Sequence, residues 1–138
     1  MTQRRCVRES ALEVLYRYDI GNENIEKTIE EIEEKIKFTP QGQKFFQRLV
    51  SETLNNLDII DKTIIQFLEH WSFARLAGVD RAILRVACCE LLYFPDIPPK
   101  VIINEALEIA KKYGAAESAS FVNGILDAIY KHKDIKSK

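Results

Sequence analysis

Residues 97–127 read IPPKVIINEALEIAKKYGAAESASFVNGILD, two helix-spaced apolar patterns divided by a glycine. Pro98 and Pro99 fix the start of the first, because proline's locked φ suits the opening turn of a helix. Val101, Ile102, Leu107 and Ala110 continue its apolar contacts up to Gly114, which offers the left-handed position that ends a helix. A second helix starts near Glu117. Asn104, Asn123 and Gly124 stand inside these helices, and the glycine costs about 1 kcal/mol relative to alanine. The apolar neighbours Ile103, Ala106, Val122 and Ile125 favour interhelical hydrogen bonds for the two amides over base reading, and close helix packing for Gly124.

Working outward, the same periodicity covers the chain. The first helix runs from Arg4 to Tyr18 and ends at Gly21-Asn22; the second runs from Ile25 to Lys37 with an acidic outer face. Thr39-Pro40 reads as an N-cap followed by proline at the first helical position, opening a helix through Leu54 that Asn55-Asn56 breaks. The apolar stripe resumes at Leu57 and continues to Trp71, and Ala74 to Gly78 forms a turn. From Asp80 to Tyr93 the pattern is apolar nearly all round, as expected of a central helix, so Arg85 and Glu90 within it require ion-pair or interface partners. With five glycines, four prolines and no strict alternation, the chain is predicted to be all-α, a compact bundle of about seven helices. One domain, 1–138, is expected, with helical halves at approximately 1–74 and 75–138. The lysine-rich tail from Lys131 to Lys138 is expected to fray.

Composition narrows the function classes. A chain of 138 residues, 46% apolar and 30% charged, has the profile of a globular protein with a substantial core. The net charge of -1 excludes a uniformly basic nucleic-acid coat, so phosphate binding requires local clustering. The run from Ala82 to Phe94 is too short for a bilayer, which needs roughly 20 residues, and the N-terminus has no signal-peptide apolar region; a cytoplasmic location is expected. Cys6, Cys88 and Cys89 lack C-x-x-C spacing, and His70 and His132 stand far apart, so neither a metal site nor a cofactor is expected. The thiols read as buried and free.

On the first helix, Arg5, Arg8, Leu12 and Tyr16 share an arc, with Arg4 at its boundary. Guanidinium groups suit phosphate oxygens and an aromatic ring stacks on an unpaired base, so this arc is a candidate RNA edge. The alternative is a solvated amphipathic helix whose arginines pair with Glu9 or Glu13 and whose Tyr16 covers the core rim. Lys111 and Lys112 suit phosphate or the negative end of their own helix.

Three segments, RRCVRESALEVLY from Arg4, HWSFARLAGVDRAILRVACCELL from His70 and KVIINEALEIAKKYGAAESASFVNGILD from Lys100, closely resemble those of the NusB transcription antitermination family of bacterial RNA-binding proteins. They cover both halves, while Asn22 to Asn56 matches only in helical pattern. The resemblance implies an arginine-rich opening helix that contributes to boxA RNA binding, here with Cys6-Val7 replacing a denser basic run, and Tyr16 as its aromatic. It further places Tyr113 and Phe121 near RNA, Glu117 beside the same surface and Asp80 on its rim; core packing is the other reading of Phe121. The implied partners are the ribosomal protein NusE, boxA of nascent ribosomal RNA and the antitermination complex on RNA polymerase, with a homodimer left open. The implied function is non-enzymatic. A helical interaction adaptor with little RNA affinity is the alternative favoured by the near-neutral charge. An enzyme would resemble the NusB-like domain beside some ribosomal RNA cytosine methyltransferases, but no catalytic part or Gly-rich cofactor loop accompanies this chain.

Overall fold

The computed structural model describes residues 3–136, with side chains through His132. Among the described residues there are seven α-helices and no strand: α1 (Gln3–Gly21), α2 (Ile25–Ile36), α3 (Pro40–Asn55), α4 (Leu57–Ile65), α5 (Gly78–Tyr93), α6 (Pro99–Tyr113) and α7 (Ser118–Lys136). The all-helical bundle expected from periodicity is therefore observed. None of these helices is long and apolar enough to cross a membrane.

Local chemistry sets the boundaries. Asn24 caps α2 by accepting from the Lys27 N–H at 2.9 Å, and Thr39 caps α3 by accepting from the Gly42 N–H at 3.1 Å, with Pro40 in the first turn as predicted. The Asn55-Asn56 break lies between α3 and α4. α4 stops at Ile65, short of Trp71, because the chain tightens there: the N–H groups of Phe67 and Leu68 turn back to the carbonyls of Ile64 and Ile65. A single 3-10 turn, Phe73–Arg75, interrupts the loop to α5. α7 continues to Lys136, beyond the start of the tail expected to fray; residues 137–138 of that tail lie outside the described residues.

α5 is the axle. Every residue from Arg81 to Leu91 is buried, and the helix packs against α1, α3, α4, α6 and α7. Its three buried charges have partners, Arg81 on Asp19, Arg85 on Asp61 and Glu90 on Arg8. Cys88 and Cys89 are buried and Cys6 is partly so, with no disulfide among them. Burial pushes the Cys89 thiol up to about 12.

Three readings of the α6–α7 segment are overturned. Asn104 and Asn123 are exposed, because successive helical positions turn by about 100° and the buried stripes run through Ile102, Ile103, Ala106, Ile109 and Ala110 on α6, and Val122, Ile125, Leu126 and Ile129 on α7. Apolar neighbours in sequence do not make a buried position. Gly124 is also exposed, and a Cβ added there would meet nothing within 4 Å, so close packing does not explain it. Gly114 is extended (φ -92, ψ -176), not left-handed. It is needed for space: a Cβ would lie 2.6 Å from the Ser118 Cβ and 2.8 Å from the Ala110 carbonyl oxygen. Ser118 in turn accepts from the Ala115 N–H at 2.9 Å, closing a tight corner between α6 and α7.

Candidate nucleic-acid interface

The first-helix arginines are distributed differently from the arc drawn on sequence. Arg8 is only 4% exposed, and its Nε and Nη2 donate to the Glu90 carboxylate at 2.8–3.1 Å. It holds α1 to α5 and is removed from the candidate RNA edge: Leu12, one turn on, is also buried, so the middle of this arc faces the seam between α5 and α6. The signal was available in Glu90, a lone carboxylate in an apolar helix that requires a buried cation. Arg5 is partly exposed but forms a fork with Glu105 on α6, Nε and Nη2 donating at 2.8 and 2.7 Å. That hydrogen bonding holds the Glu105 carboxyl below its usual range. Arg4 is exposed, and its guanidinium lies 4.5 Å from the centre of the Phe45 ring.

Further along the same helix, Glu9 gathers the end of α6. The Tyr113 hydroxyl donates to Glu9 at 2.8 Å, and the Lys112 Nζ donates to both carboxylate oxygens at 3.0 and 3.2 Å. Glu9 thereby raises the Lys112 pKa, while burial, with Glu9 second, raises that of the Tyr113 phenol. Lys111 pairs with Glu108 on its own helix at 3.1 Å. These side chains remain largely exposed, so they present donors beside an exposed aromatic ring.

Asp80, Glu117 and Phe121 converge. Together with Trp71, Arg75, Leu76, Ala77, Ala115 and Ser118 they line a cleft of about 220 Å³ between the α4–α5 loop and the corner before α7. Trp71 is 61% exposed, with its ring edge-on to Phe121 at 5.9 Å and 69°. Phe121, half-buried, therefore belongs to both core rim and cleft. Asp80 Oδ1 is buried with no hydrogen-bond partner among the described residues, a costly state that an incoming donor would relieve. Glu117 is exposed, and Arg75, also exposed, has no ion-pair partner among the described residues. Tyr16 packs against Gly78, between the cleft residues Ala77 and Asp80 in sequence: a Cβ there would fall 3.0 Å from the Tyr16 ring and 2.9 Å from Ile20, so glycine lets α1 reach the start of α5.

Exposed aromatics, an unmet acceptor and cations at the margin suit an unpaired nucleobase and its phosphates. Trp71 and Arg75 are absent from the sequence-based candidates. Their signal was the only tryptophan in the chain, standing where the α4 stripe was read as continuing.

Comparison with known proteins agrees with the helical arrangement. Residues 5–131 match the model of the NusB family. The chain is 46% identical over 137 residues to the transcription antitermination protein NusB of Citrifermentans bemidjiense, covering 94% of each chain. To the same-named protein of Chloroherpeton thalassium it is 40% identical over 136 residues, covering 98% of this chain but 64% of that relative. A crystal structure of antitermination factors NusB and NusE in complex with dsRNA superimposes with a TM-score of 0.86 at 30% identity, covering 96% of this chain and 99% of the other.

Proposed function

The chain belongs to the NusB family, and on that premise we propose that it is a transcription antitermination factor that binds boxA RNA of nascent ribosomal RNA transcripts jointly with NusE. The bound pair helps to assemble the antitermination complex on RNA polymerase, in the cytoplasm. The observation that carries this reading is the Trp71–Phe121 cleft with Asp80, whose Oδ1 has no partner among the described residues, in its lining. A relative with the same fold stands in a complex with both NusE and dsRNA.

Mechanistically, binding changes assembly rather than covalent bonds. One unpaired base enters the cleft against Trp71 and Phe121, while Asp80, supported by Glu117 at the rim, accepts from a base amino or imino group. Tyr16 and Tyr113 offer further stacking faces, and Arg4, Arg75, Lys111 and Lys112 meet phosphates. Arg8 contributes only by holding α1 in place. Chemistry by the Cys89 thiol is disfavoured, since it is buried and protonated at neutral pH.

Labelled boxA RNA is titrated with the chain alone and with NusE, against a scrambled sequence. Selective binding strengthened by NusE is expected, and Asp80→Asn, which replaces an acceptor oxygen by a donor, should weaken it by about 1–3 kcal/mol. Equal affinity for both RNAs in the presence of NusE would overturn the proposal. The engagement of Arg4, Arg5 and Arg8 within the protein favours a second reading, an adaptor with little RNA affinity of its own. Selective binding by the isolated chain rejects it.

A further inference from the structure

We propose that Arg81 is the positioning residue of the cleft, a single guanidinium that fastens the Trp71-bearing loop to α5 and α1. The proposal rests on the RNA reading of the cleft for its consequence, and on the following geometry for its mechanism. The loop between α4 and α5 is irregular apart from one 3-10 turn; local N–H groups engage the carbonyls of Ser72 and Phe73, and the remaining carbonyls need partners from elsewhere. Arg81 supplies them: Nη1 points to the carbonyl oxygens of Phe73 at 3.1 Å, Leu76 at 3.3 Å and Ala74 at 3.5 Å. On its other edge, Nε and Nη2 each stand 2.7 Å from Asp19 Oδ2 on α1.

Asp19 lies three residues beyond Tyr16, so the same carboxylate that fixes Arg81 also fixes the helix carrying that ring. Arg85 approaches the other Asp19 oxygen at 3.6 Å and is itself forked onto Asp61. Both guanidinium groups face Phe73, at 5.7 and 5.3 Å from its ring centre, and thereby flank the 3-10 turn whose carbonyls Arg81 engages. Two elements that line the cleft, the loop with Trp71 and Arg75 and α5 with Asp80 immediately before Arg81, therefore meet α1, whose Tyr16 packs beside Gly78, at one buried side chain.

Arg81 does not line the cleft, so it touches neither base nor phosphate there. Its planar fork serves a carboxylate and several carbonyls at once, a task that a lysine, with a compact rotatable ammonium, performs incompletely. A stacking wall displaced by even about 1 Å loses its match to a base, which is how a residue out of contact controls recognition.

The test uses the full chain with Arg81→Lys. Trp71 is the only tryptophan, so its fluorescence anisotropy and acrylamide quenching report the loop without any ligand. Expected are lower anisotropy and stronger quenching at unchanged helical circular dichroism, a loss of boxA affinity of about 2- to 30-fold, poorer discrimination against scrambled RNA, and an unchanged salt slope. An unchanged Trp71 signal overturns the proposal. So does a salt slope reduced by about 0.7, the mark of a lost phosphate contact on a single strand. If Arg81→Lys does not fold, Asp19→Ala removes the α1 side, for Arg81 and for the more distant Arg85, while leaving the loop carbonyls on Arg81, and should shift the Trp71 signal and RNA discrimination in the same direction, by less; no shift in that variant also overturns it. Lack of RNA selectivity in the unaltered chain would defeat the RNA reading alone, leaving the Trp71 measurements to judge Arg81.

Discussion

The N-terminal end of α1 and the cleft beside Trp71 both carry residue types suited to RNA, and they differ in what those residues already do. At the first, Arg4 lies on the Phe45 ring, Arg5 is forked onto Glu105 and Arg8 is buried on Glu90. At the second, Trp71 is exposed, Arg75 stands without an ion-pair partner among the described residues, and Asp80 Oδ1 has no donor. A guanidinium that would bind phosphate must first be available, and an ion pair inside the protein removes much of that availability. The contrast teaches that unmet bonding capacity, more than density of basic residues, marks the surface ready for a ligand.

The largest effect that can break this contrast concerns Arg8. Arg8→Ala leaves Glu90 buried without its cation and should cost about 3–5 kcal/mol in urea unfolding. Replacing both partners by apolar residues, Arg8→Met with Glu90→Leu, should recover most of that loss and leave the RNA salt slope as it was. A slope reduced by about 0.7 in the double variant would return Arg8 to the phosphate contacts.

Next in size is the cleft itself. Trp71→Ala should weaken boxA binding by about 1–3 kcal/mol, the worth of one stacked base, while the unfolding midpoint hardly moves because the ring is 61% exposed. Isothermal titration and denaturation on the same sample separate the two. Equal loss of stability and affinity would make Trp71 a packing residue.

Much of this was legible in the sequence. Periodicity placed the helices, Thr39-Pro40 marked the start of α3, and the apolar helix around Cys88 proved to be the buried axle. What escaped depends on through-space pairing. The arc of Arg5, Arg8 and Tyr16 is real on one helix, but only the position of Glu90 and Glu105 on other helices decides which arginines are already engaged. Asn104 and Asn123 have apolar neighbours in sequence but stand exposed, so burial does not follow from those neighbours. A glycine after a helix pattern suggests a left-handed φ, whereas the requirement at Gly114 is the closeness of Ser118. Trp71 was hidden by an apolar stripe that α4 does not follow to its end.

A smaller change sharpens the comparison at Arg5. Glu105→Gln removes the carboxylate that occupies it and should steepen the RNA salt slope, since the guanidinium becomes available to a phosphate. The stability cost should stay below about 1 kcal/mol, as expected for a partly solvated pair. Arg5 holds the Glu105 pKa below that of an unfolded glutamate, about 4.3, so the pair's contribution is complete above that value and is lost as pH falls through the lowered one. The stability difference between the unaltered chain and Glu105→Gln should therefore close on acidification below about pH 4. A difference constant across that range would mean that Arg5 contributes nothing through Glu105.

The finest test compares single cations at the two kinds of site. Arg75→Ala should reduce the magnitude of the salt slope by about 0.7, the release expected when one phosphate contact to a single strand is lost. Lys112→Ala should reduce it less, because Glu9 already satisfies that ammonium through two oxygens, and Lys111→Ala should fall between them, its Glu108 partner being a solvated neighbour on the same helix. Affinities measured over a salt series give all three slopes in one experiment. If Lys112→Ala matched Arg75→Ala, phosphate would have displaced Glu9 without penalty, and prior pairing would no longer distinguish the two regions.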